Sequence, residues 1–312
     1  MILSPTMTYV IDKEAEGFPS PSEREKLNKA IGRYRLILKT IAWRYDIGEI
    51  KFALADLLIG RNDPGDYEEA SKYYDDILNV VPDSYLKAKV IVGKAELLIS
   101  SSKPGDVEKA LEMCDEAIDL IDGGEADFFV CKANIVKAEL LLKRAVGGDR
   151  DRAVRLFDHI VKNRKAHWYF KARAQIGLAE LIEYKKTRDL SRGIGYCDEA
   201  IDALKERPHD YFTTKAKVVK GELLSRRGQE KDIRAALQVF RSILRESATL
   251  NKDLVARVKL DMAELPNSED AEKLYGEVSM TGGLDPYLIE KARLIEQGFK
   301  ASSAPRRRRH SS

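Results

Sequence analysis

The sequence has few of the residues on which disulfide frameworks and metal sites depend. It contains three cysteines and four histidines among 312 residues. An odd number of cysteines without close spacing argues against both a disulfide framework and a cysteine-based zinc site. We therefore expect Cys114, Cys131 and Cys197 to be buried as small apolar side chains.

Long apolar runs are also missing. No window approaches the about 20 apolar residues that a membrane-spanning helix requires. The opening stretch, MILSPTMTYVIDKEAEG, has neither a basic start nor a sustained apolar run, so it does not resemble a secretory signal. These absences predict a chain without a transmembrane segment that resides in the cytoplasm.

Motifs of catalysis and cofactor binding are scarce. The GGDRD string at 147–151 lacks the Lys-Ser/Thr pair of a phosphate-binding loop. Neither a G-x-S-x-G elbow nor a G-x-G-x-x-G motif after a strand is present. The histidines show no metal-ligand spacing; they are His159, His167, His209 and His310. We therefore expect no enzymatic activity, no cofactor and no metal site.

The formal net charge of +3 comes from one short segment. The chain has 54 basic and 51 acidic residues, and four of the basic ones form the run Arg306, Arg307, Arg308, Arg309. Without that run the body is nearly neutral, with 50 basic residues against 51 acidic ones. The tail is therefore either a contact for nucleic acid, an acidic partner or an anionic membrane surface, or a solvated end without a binding role.

A repeat of about 42 residues is the strongest pattern in the sequence. KAKVIVGKAELL at 87–98 is nearly repeated as CKANIVKAELLL at 131–142, KARAQIGLAELI at 171–182 and TKAKVVKGELLS at 214–225. Each string has a small residue followed by glutamate and aliphatic residues. The small residue recurs at intervals of 40 to 43 residues, at Ala55, Ala95, Ala138, Ala179, Gly221 and Ala263.

A second pattern follows the first in every unit. It is a small residue placed four positions before an aromatic residue or a cysteine. The pairs are Ala70/Tyr74, Ala110/Cys114, Ala153/Phe157, Gly193/Cys197, Ala236/Phe240 and Ala271/Tyr275. Two markers per unit, separated by Gly- and Pro-rich turns such as NDPG at 62–65, predict two helices per unit. The first helix has apolar residues on several sides, which is typical of a helix packed between neighbours.

Polar residues mark the predicted start of each second helix. A short side chain with an oxygen acceptor serves the free N–H groups of a first helical turn. We therefore predict N-terminal caps four residues before the second marker, at Asp66, Asp106, Asp149, Asp189, Asp232 and Asn267.

The paired helices resemble the tetratricopeptide repeat family over residues 48–280. The resemblance is most specific in the second helix, where Ala110, Cys114 and Ala117 stand at the family's small, aromatic and small positions. The unit is longer than the family's about 34 residues, so HEAT-type and other α-solenoids remain alternatives. The resemblance implies an all-α fold, namely a right-handed α-solenoid of about six helix-turn-helix repeats.

We expect a helix at each end of the array, because a terminal repeat cannot bury its outer face alone. One is predicted over 22–45 and the other over 285–299. The repeat domain then spans 21–299. A flexible segment over 1–20 precedes it, and a flexible basic tail over 300–312 follows.

Charged pairs recur on the first helices. In five units the marker glutamate has a basic residue seven positions earlier, so both lie on one narrow stripe of the helix. In tetratricopeptide-like proteins the first helices line the concave groove, and the resemblance implies that these rows of charge face it. They either fix the register of a bound peptide or helix, or form salt bridges that align the repeats. The pairs are Lys89/Glu96, Lys132/Glu139, Arg173/Glu180, Lys215/Glu222 and Arg257/Glu264.

Aromatic residues recur ten or so positions before the small marker of the first helix. They are Tyr85, Phe128, Tyr169 and Tyr211. The row either forms a binding rim or packs the corners between consecutive repeats, and the packing interpretation accounts better for its recurrence with the architecture.

These features together predict a non-catalytic scaffold or adaptor. A solenoid offers a long curved surface, so we expect it to bind a peptide, a helix or a protein partner, within a larger complex, on the concave side. The alternative is a nucleic-acid-associated helical repeat protein that uses the arginine tail. The nearly neutral charge of the body argues against this alternative.

Overall fold

The protein is an all-α array in the computed structural model. Fourteen helices and no strand are present in the described part of the chain, so the predicted all-α solenoid is confirmed. The predictions for residues 1–20 and for Arg306, Arg307, Arg308 and Arg309 lie outside the described residues. The structure describes residues 21–303, apart from 41–43, 62, 100–102, 104, 122–123, 125–126, 183–186, 207–210, 248–249 and 266–269.

Six pairs of helices lie between two end helices. The end helices are α1 (Pro21–Thr40) and α14 (Pro286–Ser303). The first helices of the pairs are α2 (Arg44–Arg61), α4 (Ser84–Ile99), α6 (Phe128–Arg144), α8 (Trp168–Glu180), α10 (Tyr211–Arg227) and α12 (Lys252–Ala263). The second helices are α3 (Asp66–Val80), α5 (Asp106–Leu120), α7 (Asp149–Lys162), α9 (Thr187–Ala203), α11 (Glu230–Arg245) and α13 (Ala271–Ser279). Because α14 continues through Ser303, residues 300–303 belong to a helix and not to the predicted flexible tail.

The helices pack in chain order. Each helix contacts the helices before and after it, and each first helix also contacts the first helix of the next repeat. In α8 every residue from Ala172 to Ala179 is buried, because neighbouring helices enclose this part of α8. In α11 only one stripe, which includes Ala236 and Phe240, is buried. The first helices therefore form the interior of the array, and the second helices present an outer face.

At α3, α5 and α7 the aspartates predicted as caps lie one position too late for that role. Glycine occupies the cap before α3, α5 and α7, with φ of 89°, 84° and 85° at Gly65, Gly105 and Gly148. None of these caps has a side-chain hydrogen bond. The turn needs a left-handed residue immediately before the helix, and glycine adopts that conformation without steric cost. The capping prediction is therefore wrong at these helices.

Three of the predicted cap aspartates, Asp66, Asp149 and Asp232, instead clamp the turn between the two helices. Asp232 is not the cap either, because Gln229 occupies the cap of α11. The carboxylate of Asp149 accepts a hydrogen bond from the backbone N–H of Val146 at 3.1 Å. It also binds the guanidinium of Arg144 through two nitrogens, at 2.8 and 2.7 Å. The same two-bond clamp recurs at intervals of 83 residues as Arg61–Asp66, Arg144–Asp149 and Arg227–Asp232. The clamps belong to alternate repeats, so the structural unit has a two-repeat period in addition to the single one.

The packing between repeats alternates in the same way. A Cβ atom on Gly93 would lie 2.7 Å from the Tyr74 hydroxyl, and one on Gly177 would lie 2.5 Å from the Phe157 ring. These glycines leave room for an aromatic ring from the preceding repeat. In the third and fifth repeats the glycine position holds valine, and in the second and fourth repeats the aromatic position holds cysteine. These residues are Val136, Val219, Cys114 and Cys197, all buried. From the first repeat to the fifth, an aromatic ring that faces glycine at one interface is thus followed by a cysteine at the valine position of the next interface.

The aromatic row packs repeats together. Phe128 contacts Phe170 of the next repeat with ring centroids 4.7 Å apart, and Tyr169 contacts Phe212 at 5.9 Å. The Tyr85 and Phe129 rings are 6.0 Å apart. Edge-to-face contacts of this kind stabilise a packed corner, so the geometry matches the packing interpretation of the row.

The close approach of Gly177 to Phe157 yields a stability prediction. Gly177→Ala should lower the free energy of unfolding by about 1–3 kcal/mol, because the added methyl group overpacks the interface. Gly195→Ala is the matched control: Gly195 is helical and has nothing within 4 Å of its Cβ position. That control should be stabilised by up to about 1 kcal/mol through helix propensity. Urea unfolding of both variants checks this, and equal effects would contradict the packing.

Candidate partner-binding surface

The charged residues of the first helices form a ladder that joins consecutive repeats. From the third repeat to the sixth, each cation binds the marker glutamate of the preceding repeat. The N–O distances are 3.0 Å for Lys132–Glu96, 3.2 Å for Arg173–Glu139 and 3.0 Å for Lys215–Glu180. Arg257 binds Glu222 through two nitrogens, with Nη2 at 2.7 Å. The basic residue and the glutamate that lie seven positions apart on one helix therefore do not bind each other. Each binds a residue of a different neighbouring repeat. We call this set, with the end pairs described next, the charge ladder.

The ladder continues beyond the predicted residues at both ends. Lys89 binds Glu49 at 2.7 Å, and Lys291 of α14 binds Glu264 at 3.1 Å and Asp261 at 2.9 Å. Sequence reasoning missed Glu49 because it occupies the cation position of the first repeat, seven residues before Asp56, and has the opposite charge there. Lys291 was missed because it lies in the end helix, outside the repeat.

The arginines of the ladder reach further than the lysines. Arg173 also lies 3.7 Å from Glu96, two repeats back, and Arg257 also lies 3.2 Å from Glu180. A guanidinium has donors on three nitrogens in a fixed fork, so it serves two carboxylates at once. Arginine in the fourth and sixth repeats therefore ties three repeats together.

Exposure differs between the two signs of charge in the centre of the ladder. The side chains of Lys132 and Arg173 are each 4% exposed, whereas those of Glu96 and Glu139 are 26% and 28% exposed. The Arg173 guanidinium also lies 4.6 Å from the centre of the Phe212 ring, which adds a cation–π contact. In the central repeats the cations are therefore enclosed and the carboxylates face outward.

The cations keep the partly buried carboxylates ionised. Burial by itself would raise the pKa of Glu96, but Lys132 and Arg173 outweigh it, and the pKa lies below the ordinary glutamate value. The pKa of Glu180 is lowered against burial in the same way, by Lys215 and Arg257. Both groups are negative at neutral pH.

Acidic groups crowd together at the C-terminal end of the ladder. Burial raises the pKa of Glu222 to about 7, the Arg257 guanidinium opposes this, and the neighbouring Asp261 carboxylate adds to it. One oxygen of Asp261 is buried without a hydrogen-bond partner among the described residues. The Glu222 carboxyl therefore titrates near neutral pH, with its pKa at about 7.

A second set of ion pairs links the outer helices to the interior. The lysine directly before the small marker binds the aspartate that follows the aromatic or cysteine of the preceding repeat. These pairs are Lys94–Asp75, Lys137–Asp115 and Lys220–Asp198. Sequence reasoning missed them, although the recurring Lys-Ala/Gly dipeptide and the two CDEAID strings carried the signal.

The cysteines are enclosed in the core, as predicted. Burial raises the pKa of the Cys114 and Cys197 thiols to about 12, so both stay protonated at neutral pH. Across the described ranges no group of three or more His, Cys, Asp or Glu side chains is arranged to hold a metal ion. Among the helices described, none is both long and apolar enough to span a bilayer.

Comparison with known proteins gives no match: neither a protein-family model, nor a curated protein, nor a solved structure matches the chain. The helical repeat therefore rests on the periodicity of the sequence and on the pairwise packing of its helices.

The unequal burial of the ladder predicts unequal costs of breaking it. Glu96→Gln should lower the free energy of unfolding by about 3 kcal/mol, because the enclosed Lys132 ammonium loses its carboxylate. Lys132→Met should cost about 1 kcal/mol or less, since Glu96 still faces water and Arg173. Chemical denaturation of both variants measures this difference. The opposite order of the two losses would contradict the described burial.

Protonation of Glu222 predicts a pH dependence of stability. The folded chain holds this proton up to a pKa of about 7, whereas an unfolded glutamate releases it near the ordinary value of about 4.3. Stability from this group is therefore present at low pH and is lost as the pH rises from about 4.3 to 7, by up to about 1.4 kcal/mol per pH unit. Glu222→Gln should remove that slope in unfolding experiments at pH 5 to 8. Glu264→Gln, at a carboxylate that is 47% exposed, should keep it, and an unchanged slope in the Glu222 variant would refute the assignment.

Proposed function

We propose that the chain is a tetratricopeptide-like, non-catalytic scaffold that binds a segment of another protein along its charge ladder. The proposal is supported by the array of paired helices, in which a long surface is built from equivalent positions. In tetratricopeptide-like arrays the first helices line the concave groove, and the ladder runs along these helices.

The observation that carries the proposal is the outward exposure of the ladder carboxylates. The cations of the central repeats are used to align neighbouring helices and have little surface left for a partner. The oxygens of Glu96 and Glu139 remain partly exposed, one repeat apart. Charge complementarity then favours a basic peptide or helix, whose lysines or arginines meet one glutamate per repeat.

The alternative function uses nucleic acid as partner and the run Arg306–Arg309 as the contact. Four adjacent arginines suit phosphate binding, and loss of nucleic-acid binding on their replacement by glutamine would support it. Variants can distinguish the two functions, because nucleic-acid binding requires the arginine tail and protein binding requires the ladder carboxylates.

Affinity capture from an extract of the protein's own cells tests the proposal. The test variant is Glu139→Gln with Glu264→Gln, two ladder carboxylates that are 28% and 47% exposed. The matched control is Glu108→Gln with Glu112→Gln, two exposed glutamates on the outer helix α5. We expect a stoichiometric protein partner to be recovered with wild type and control, and about tenfold less of it with the test variant, as for the loss of two charge-assisted contacts.

Two results would overturn the proposal. One is equal recovery of the protein partner with test variant and control. The other is recovery that disappears on nuclease treatment, which would favour the nucleic-acid alternative. Circular dichroism and melting of each variant establish that the array is still folded.

A further inference from the structure

Exposed cations gather in the first two turns of three consecutive outer helices, α7, α9 and α11. These turns lie at the same edge of the array, where the first helix of a repeat ends and the second begins. We call this set the basic edge; its members, all exposed, are Arg152, Arg155, Arg188, Arg192, Lys231 and Arg234.

Contacts between repeats make the basic edge continuous. The Arg150 guanidinium in the first turn of α7 donates to the carbonyl of Leu181 just after α8, at 2.5 Å. Arg227 at the end of α10 donates to the Ser191 hydroxyl in the first turns of α9, at 3.2 Å. The third repeat is thereby joined to the fourth, and the fourth to the fifth, so the cations lie along one edge.

Few acidic groups neutralise this edge. The carboxylates of Asp149 and Asp232 are already bound by Arg144 and Arg227 through two bonds each. Weaker contacts reach the edge itself: Arg152 lies 3.9 Å from Asp149, and the exposed Arg234 lies 3.4 Å from Glu230. The remaining acidic residues of these turns are Asp151 and Asp189. In the described part of the chain the edge therefore keeps an excess of positive charge.

The sign of this edge reverses along the array. In the first two repeats the corresponding turns of α3 and α5 contain Glu68, Glu108 and Glu112 against Lys72 and Lys109, and also Glu69, which Arg35 of α1 binds. The body as a whole is nearly neutral, with 50 basic and 51 acidic residues outside the arginine run. The positive excess of the third to fifth repeats is thus a local feature and not a property of the whole surface.

We propose that the basic edge binds an acidic segment of a protein partner, running across the third, fourth and fifth repeats. Arginine predominates, and its planar fork fits carboxylates through two parallel bonds. Each first turn also directs free N–H groups and the positive end of a helix dipole toward the edge. This surface is distinct from the charge ladder in place and in sign, so the inference does not depend on the function proposed above.

An acidic protein segment fits the edge better than nucleic acid does. The described turns of this edge expose no aromatic ring on which bases would stack. One carboxylate per repeat also lies among the cations, at Asp151, Asp189 and Glu230. Such carboxylates repel a uniformly charged phosphate backbone, whereas a peptide can place its acidic residues between them.

Fluorescence anisotropy with two labelled probes tests the inference on the full chain at low salt. The probes are a Glu-Ser repeat peptide and an oligothymidylate of equal charge. The test variant replaces one cation per repeat, Arg155→Gln, Arg192→Gln and Lys231→Gln. The control makes the same change of net charge on α1, with Lys26→Gln, Arg33→Gln and Lys39→Gln, all exposed.

We expect the peptide to bind the test variant about tenfold more weakly than wild type, as for the loss of three exposed ion pairs. The control should change peptide affinity less than twofold. Equal losses in both variants, no measurable peptide binding to wild type, or tighter binding of the oligothymidylate than of the peptide would each overturn the inference. All six substituted residues are exposed, so melting curves of both variants should match wild type.

Discussion

The enclosure of the first helices between neighbouring repeats is the constraint on which the rest of the structure depends. In α8 all residues from Ala172 to Ala179 are buried, and Arg173 is among them. An enclosed charge without a partner costs several kcal/mol, which is a large part of a typical folding free energy of about 5–15 kcal/mol. Its counter-charge must therefore come from an adjacent first helix, and the charge ladder satisfies that requirement repeat by repeat.

The two-repeat period has steric and electrostatic consequences for the same interfaces. Glycine opposite an aromatic ring alternates with valine opposite cysteine, and two-bond Arg–Asp clamps occur only in alternate repeats of the described chain. A shift of the stack by one repeat would set an aromatic ring against valine and leave a cavity beside glycine. Overpacking and cavities each cost about 1–5 kcal/mol. The alternation therefore specifies which repeat follows which, beyond what a uniform repeat would do.

The helix pairs could be predicted from the sequence, because the same buried positions recur in every pair. The ion-pair partner of each charged residue could not be predicted in this way. Lys132 and Glu139 lie on one stripe of α6, but seven residues separate their backbones by about 10 Å along the helix axis. Neighbouring helix axes are about 8–10 Å apart, and long side chains bridge that gap more readily. The prediction of aspartate caps was wrong at α3, α5 and α7 because the turn before each helix requires a left-handed residue. Glycine therefore occupies the cap, and the aspartate follows it. Whether the exposed carboxylates meet a partner depends on a second molecule, which one sequence does not contain.

The ladder makes a direct energetic claim, namely that its charges are coupled between repeats and not within a helix. Double-mutant cycles measure this for Glu139 against Arg173 of the next repeat, and for Glu139 against Lys132 of its own helix. The account predicts a coupling free energy of about 1–3 kcal/mol across repeats and less than about 0.5 kcal/mol within α6. A larger coupling within the helix, or none between Glu139 and Arg173, would contradict it.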